Sequence, residues 1–209
     1  MRRTALLASG LFLFAGTTWA DQPKGKDDGK KTTSSDSKTT SDSKTSTESK
    51  APPAAAPPAA RAAADIKGEG GKSIGTAALE ETPHGVLITV NLTGAPSGMH
   101  AFHIHETGKC EAPFKTAGGH FNPEGHEHGF KNPAGKHAGD LPNIEVGANG
   151  KGTFQFFAHG VTLKAGEKNS LLDTDGSALV MHKGVDDYTE AKTGNAGDRI
   201  ACGVIEKAK

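Results

Sequence analysis

The stretch HAFHIH at residues 100–105 places two histidines one residue apart between apolar side chains. Alternate residues of a β-strand point to the same face. We therefore predict a strand in which His103 and His105 face a metal site while Phe102 and Ile104 face a core. Imidazole nitrogens are favoured ligands of copper and zinc, so the stretch predicts a metalloprotein.

Histidines recur within the long irregular stretch that follows this strand and again in a later apolar run. Eight of the ten histidines lie in HAFHIH (100–105), GGHFNPEGHEHG (118–129), KHAGD (136–140) and VMH (180–182). Two ligand sets can be composed from them. An all-histidine set suits copper, whereas a histidine set completed by Asp140 suits tetrahedral zinc. Residue types alone do not assign each histidine to a set.

Short alternating runs separated by turn residues predict an all-β sandwich or barrel. The predicted strands are 62–67, 73–81, 85–91, 99–105, 143–146, 152–158, 177–182 and 200–206. Asn149-Gly150 predicts a type I′ hairpin turn. Asp173-x-Asp175-Gly176 resembles the start of a calcium loop but lacks the downstream glutamate, so we interpret it as a turn.

The chain divides into three segments by composition. Residues 1–20 have the positive start, apolar stretch and small residues of a signal peptide, and the apolar stretch is too short to favour a permanent membrane anchor. Residues 21–61 are rich in Lys, Ser, Thr, Pro and Ala and predict a disordered linker, for which a solvated tether is our preferred interpretation. Residues 62–209 form one predicted domain. The net charge of +0 argues against nucleic-acid binding.

The chain contains two cysteines, Cys110 and Cys202. In an exported protein a disulfide is the default, and the alternative is a pair of thiolate metal ligands. Because histidines already supply enough ligands, we favour the disulfide. Cys110 lies in the Gly-, Pro- and His-rich stretch 106–142, and a loop of this length is usually functional or disordered.

Several segments together resemble the copper-zinc superoxide dismutases of the secreted bacterial type. These segments are HAFHIHE, GGHFNP, HGF, KHAGDLPN, ALVMHKGVDDY and TGNAGDRIACGVI. They follow the family's order and spacing and cover essentially all of residues 64–206. The resemblance implies an eight-stranded Greek-key β-barrel, an immunoglobulin-like sandwich with long metal-binding loops.

The resemblance also implies two metal sites that share one residue. The implied copper ligands are His103, His105, His120 and His182. The implied zinc ligands are His120, His128, His137 and Asp140, so that His120 bridges copper and zinc as an imidazolate. Asp186 matches the aspartate that hydrogen-bonds one histidine of each site. Cys110 and Cys202 match the family's disulfide.

The activity implied by the resemblance is dismutation of superoxide to O₂ and H₂O₂ by one-electron Cu(II)/Cu(I) cycling, with Zn(II) in a structural role. Arg199 matches the arginine that attracts and docks the anion beside the copper, and His120 would also carry a proton. Since the whole chain is neutral, steering must come from local charges, for which Lys109, Lys115, Lys136 and Lys183 are candidates. The implied location is the periplasm or the cell exterior, as a monomer or a homodimer.

The remaining histidines have structural interpretations. His100 has the opposite strand parity to His103 and matches a histidine that joins loops in the family. Family spacing selects His128 over His126, and His84 and His159 lie near predicted turns. One departure from the family is Ala101, which stands where glycine is usual.

A different class of function is a secreted module that buffers copper or zinc without turnover. Such a module would need neither Arg199 nor a bridging histidine, and the chain contains both. The sequence therefore favours the enzyme.

Overall fold

The computed structural model describes residues 59–190 and 192–208. The predicted signal peptide and almost all of the predicted linker lie outside these ranges. The described strands are β1 (Arg61–Gly68), β2 (Ser73–Thr82), β3 (Gly85–Leu92), β4 (Gly98–His100), β5 (Phe102–His105), β6 (Ile144–Val146), β7 (Gly152–Ala158), β8 (Ala178–His182), β9 (Arg199–Val204) and β10 (Glu206–Lys207). One 3₁₀ turn spans Lys115–Ala117.

The strands form because their apolar residues recur with the period of a half-buried sheet. In β1 the burial alternates strictly, with Ala62, Ala64 and Ile66 inside and their neighbours outside. β5 and β8 are buried on both faces, so their polar residues need partners within the protein. Apolar residues of β1, β2, β3, β5, β7, β8 and β9 meet in one core. The predicted all-β class is confirmed.

The sheet is antiparallel and its strand order is β5-β8-β9-β1-β2-β3-β7, with β10 also paired to β1. β4 and β6 form a separate pair. Strands distant in sequence are therefore neighbours, as Greek-key connections require. This order places β5 beside β8, with His103 opposite Val180 and Phe102 opposite Met181.

Two predicted strands are divided in the structure. The predicted strand 99–105 breaks at Ala101, whose N–H donates to Gly184 and whose carbonyl accepts from His182 instead of continuing the β4 ladder. The predicted strand 200–206 is likewise divided into β9 and β10.

The turn at Asn149-Gly150 is present, but the predicted type I′ geometry is wrong. Only Gly150 has a positive φ, 72°, and Gly150 N–H donates to Gly147. β6 and β7 on either side pair with β4 and β3, so they do not form a hairpin with each other. Without a hairpin twist to match, the turn does not need positive φ at both central residues.

The predicted disulfide between Cys110 and Cys202 is present, with 5.5 Å between the Cα atoms. It joins the long loop after β5 to β9. A second apolar cluster packs around it and contains Phe114, Ala117, Ala178 and Val180. Within the described part of the chain, no helical segment has the length and apolarity that a bilayer crossing requires.

Candidate metal centre

Four histidines converge near β5, the edge strand of the sheet, and we call them the four-histidine group: His103, His105, His120 and His182. Two come from β5, one ends β8 and one lies on the long loop. All four are buried. Among residues 59–190 and 192–208, four of their nitrogens have no hydrogen-bond partner, namely His103 Nδ1, His105 Nε2, His120 Nε2 and His182 Nε2. Buried imidazole nitrogens are normally satisfied, so four orphaned nitrogens that converge fit a metal site of nitrogen ligands.

The second nitrogen of the three strand histidines is held by a protein oxygen. His103 Nε2 lies 3.0 Å from Asp186, His105 Nδ1 lies 3.0 Å from the Gly118 carbonyl, and His182 Nδ1 lies 3.2 Å from the Gly197 carbonyl. Each bond fixes the tautomer that leaves the inward nitrogen free to act as a ligand. His103 and His105, which are two residues apart in β5, thus point to the same face of the strand, and each has one ring nitrogen held and the other free.

A second group shares His120 with the first, and we call it the aspartate group: His120, His128, His137 and Asp140. Asp140 Oδ1 lies 3.0, 2.9 and 3.3 Å from Nδ1 of these three histidines in turn, and His120 Nδ1 lies 3.3 Å from His137 Nδ1. Ligands at zinc–nitrogen distances on a tetrahedron are about 3.3 Å apart. The donor set and spacing therefore fit tetrahedral zinc.

Charge in the two groups follows burial and contact with Asp140. Burial lowers the pKa of His120 to about 4 and of His182 to about 3. Burial also acts to lower the pKa of His128, but hydrogen bonds to Asp140 and Asp186 raise it to about 9. Although burial opposes it, hydrogen bonds from three imidazoles hold the pKa of Asp140 far below its usual range. Without metal, His120 and His182 are therefore neutral near pH 7 and ready to act as ligands. A metal that binds the aspartate group must instead displace a proton from His128.

Asp186 joins the two groups. Its carboxylate accepts from Nε2 of His103 and from Nε2 of His128, each at 3.0 Å. Gly194 faces this carboxylate so closely that a Cβ at Gly194 would lie 1.9 Å from Asp186 Oδ1. A buried carboxylate therefore connects one histidine of each group.

Two residues that have no distinguishing pattern in the sequence, Asn143 and Tyr188, hold Asp186 in place. Asn143 Nδ2 donates to the Asp186 carbonyl and Asn143 Oδ1 accepts from the Asp186 N–H, both at 2.9 Å. The Tyr188 N–H donates to Asp186 Oδ1 at 2.7 Å, and the Tyr188 hydroxyl accepts from the Asn143 N–H at 2.7 Å. Tyr188 adopts a positive φ of 64° to do so. The one sequence signal for Asn143 and Tyr188 was that they lie in the family-like segments KHAGDLPN and VMHKGVDDY.

Arg199 lies beside the four-histidine group, paired with His182 across β8 and β9. Its guanidinium donates to the carbonyls of Phe114 and Gly118 at 2.7 and 2.6 Å. It lines a surface cavity of about 810 Å³ together with Lys115 and Lys183. An anion that enters this cavity therefore meets a fixed positive charge.

The other histidines lie outside both groups. His100 connects the end of β8 to the segment before β4, through Nδ1 to the His182 carbonyl at 2.9 Å and Nε2 to the Pro96 carbonyl at 3.2 Å. His126 is exposed, with Nδ1 3.2 Å from the Lys136 carbonyl. His84 and His159 are also exposed.

The two remaining candidate lysines lie elsewhere. Lys109 lines a different cavity, next to the disulfide. Lys136 donates to the His137 carbonyl at 3.2 Å, and burial lowers its pKa. Neither lines the Arg199 cavity.

The comparisons with solved structures agree with this fold. A SOD-like protein from Bacillus subtilis has 41% sequence identity and a TM-score of 0.65, with 68% of this chain and 96% of that chain covered. The clock protein EA4 has 31% identity and a TM-score of 0.62, with 74% of this chain and 98% of that chain covered.

The sequence comparisons agree on one family. "Superoxide dismutase [Cu-Zn] 2" of Aquifex aeolicus is 53% identical over 147 residues, 69% of this chain and 86% of the relative. "Superoxide dismutase [Cu-Zn]" of Caulobacter vibrioides is 44% identical over 148 residues, 69% of this chain and 85% of the relative. The family pattern described as copper/zinc superoxide dismutase (SODC) matches residues 73–205. With two histidine groups that fit two metals and share His120, the chain belongs to the copper/zinc superoxide dismutase family.

Proposed function

We propose that this protein converts superoxide to O₂ and H₂O₂ outside the cytoplasm, with copper at the four-histidine group and zinc at the aspartate group. The observation that carries the proposal is the pair of buried ligand groups joined at His120, together with the four orphaned nitrogens of the first group. Family membership makes the protein an oxidoreductase that uses both metals. Bound copper supplies one-electron redox chemistry, which lets two mutually repelling anions react in separate encounters.

Arg199 attracts and docks the substrate. Two backbone carbonyls hold its guanidinium, so its remaining N–H donors present a permanent charge to the cavity. Lys115 and Lys183 line the same cavity, as do Glu69 and Asp198, so the cavity has three positive and two negative side chains in a chain with no net charge. Such local charge raises the rate of association with a small anion and loses effect as salt increases.

The aspartate group holds the long loop in position. Asp140 accepts from the N–H groups of Gly129 and His137 at 3.0 and 2.9 Å, in addition to its contacts with the imidazoles. Zinc has no redox chemistry, so the role of this group is to fix His120 and the loop. His120 presents Nδ1 to Asp140 and a free Nε2 to the other histidines, and Nε2 is the atom at which it can hold a proton.

The proposed location rests on the N-terminal sequence and the disulfide. Residues 1–20 have the pattern of a signal peptide, and a disulfide persists in an oxidising compartment. We expect the mature chain to begin at Asp21 and to be recovered from the periplasm or the medium. Edman sequencing or mass spectrometry of the native protein tests this, and an intact Met1 would contradict it. A homodimer remains a prediction, to be tested by sedimentation.

A superoxide-decay assay tests the activity. The purified protein is loaded with both metals, its metal content is measured, and superoxide decay is followed by stopped flow. We expect catalytic decay that disappears when copper is removed. A protein that holds copper without turnover would instead be a metal-buffering module.

A further inference from the structure

The peptide between Gly118 and Gly119 connects a charged side chain to both halves of the proposed active site. Its carbonyl accepts from Arg199 Nη2 at 2.6 Å and from His105 Nδ1 at 3.0 Å. Its N–H donates in the opposite direction to Glu106 Oε1 at 2.7 Å. One peptide group therefore has an arginine and a ligand histidine at one end and a carboxylate at the other.

The backbone is shaped for this arrangement. Gly118 has φ 73° and ψ −153°, a conformation open to glycine, and a Cβ there would lie 2.6 Å from Glu106 Oε1. The Glu106 N–H also donates to the Gly119 carbonyl at 2.9 Å, so Glu106 contacts the peptide group on either side of Gly119. The Glu106 side chain lies directly against the Gly118 backbone.

We propose that Glu106 is a positioning residue whose carboxylate orients and polarises the Gly118–Gly119 peptide, so that one carbonyl holds both His105 and Arg199. A charged acceptor on the N–H strengthens the dipole of the amide and makes its carbonyl a better acceptor. Partners that hydrogen-bond a ligand histidine tune its orientation and basicity. The inference rests on the proposed function, in which His105 is a copper ligand.

Four variants separate the carboxylate from the peptide N–H. Glu106→Ala removes the acceptor, and Glu106→Gln keeps an acceptor oxygen without the charge. Gly119→Pro removes the N–H donor and leaves Glu106 intact. Gly119→Ala is its control, because it keeps the N–H and its Cβ would lie 3.4 Å from Glu106 Oε1.

A further control addresses charge alone. Glu69 is exposed and lines the same cavity as Arg199. Glu69→Ala therefore removes a negative charge near the arginine without touching the peptide. It should leave the copper site unchanged.

The measurements are Cu(II) affinity by chelator competition, the electron paramagnetic resonance spectrum of the bound Cu(II), and zinc affinity. Glu106→Ala and Gly119→Pro should each weaken Cu(II) binding about tenfold and change the spectrum, with Glu106→Gln between Glu106→Ala and the parent. Gly119→Ala and Glu69→Ala should match the parent. Zinc affinity should fall less than Cu(II) affinity in every variant that weakens copper binding, because among the described residues no aspartate-group side chain hydrogen-bonds this peptide, although Gly119 directly precedes His120.

Three results would overturn the inference: a parental Cu(II) affinity and spectrum in Glu106→Ala, equal behaviour of Gly119→Pro and Gly119→Ala, or an equal loss of zinc and copper. The last would mean that the variants loosen the whole loop. Because affinity and spectrum do not depend on turnover, a parent protein without superoxide activity would refute the proposed function while leaving this measurement interpretable.

Discussion

Removal of the Asp186 carboxylate should weaken zinc binding more than copper binding. Asp186 contacts one histidine of each group, but those histidines are supported differently. His103 lies within β5, where ladder bonds to β8 hold its backbone. His128 lies on the long loop, and within the described part of the chain its side chain hydrogen-bonds only Asp140 and Asp186. Asp186→Ala therefore leaves His128 with far less support than His103.

The size of the effect follows from the bond that is lost. In Asp186→Ala the His128 Nε2–H stays buried without an acceptor, which costs about 1–3 kcal/mol. At about 1.4 kcal/mol per tenfold change in affinity, zinc binding should weaken about 5- to 150-fold. His103 Nε2–H also loses its acceptor, but copper binding should weaken less because the pairing of β5 with β8 keeps the His103 backbone in place.

Competition with a zinc-selective and a copper-selective chelator at neutral pH measures both affinities. Asp187→Asn is a matched control, because Asp187 is the adjacent residue and is only half-buried. Among the described residues its side chain hydrogen-bonds only its own loop, at Thr189, Glu190 and Asn195. It should bind both metals as the parent does. An equal loss of the two metals in Asp186→Ala, or no loss of zinc, would refute the reasoning that strand support distinguishes the two histidines.

Four further predictions follow from the site. Arg199→Ala should lower the superoxide rate constant at least about tenfold at low salt while both metals stay bound, and simultaneous loss of metal would show that its role is structural. His120→Ala should uncouple the two sites, so an unchanged copper spectrum in the zinc-loaded variant would contradict the bridge. Cys110→Ser should make the long loop sensitive to protease and reduce stability by up to about 5 kcal/mol, since the disulfide spans 92 residues; equal denaturant midpoints for variant and parent would count against this. Burial lowers the pKa of His120 to about 4 and of His182 to about 3, so both imidazoles are unprotonated at pH 5. Copper should therefore remain bound at pH 5, and release of half the copper near pH 6.5 in a pH titration would contradict this prediction.

The sequence predicted His103 and His105 from the geometry of a strand, whereas His182 and the loop ligands were assigned by resemblance. A strand has a fixed period of two, so His103 and His105 had to share a face, and the apolar Phe102 and Ile104 had to share the other. The core cluster contains both apolar residues. No comparable period governs the irregular loop, where His128 was preferred over His126 through family spacing alone.

Contacts that depend on backbone carbonyls were not predictable. The break at Ala101 arises from bonds to Gly184 and His182, which are distant in sequence. The positive φ of Tyr188 is unusual for a bulky residue, and no local rule indicates it. Such features are set by tertiary packing, and the local sequence pattern carries no information about it.

The loop that carries much of the site has almost no secondary structure, so its position depends on covalent and polar ties. The disulfide fixes it near Cys110, and Asp140 fixes it near His128 and His137. Between these ties lies Gly118, whose carbonyl holds Arg199. If the ties set the position of this carbonyl, then Cys110→Ser should reduce the superoxide rate through Arg199 even when both metals are bound. A Cys110→Ser protein with full metal content and the parental rate at low salt would show that β9 alone positions the arginine.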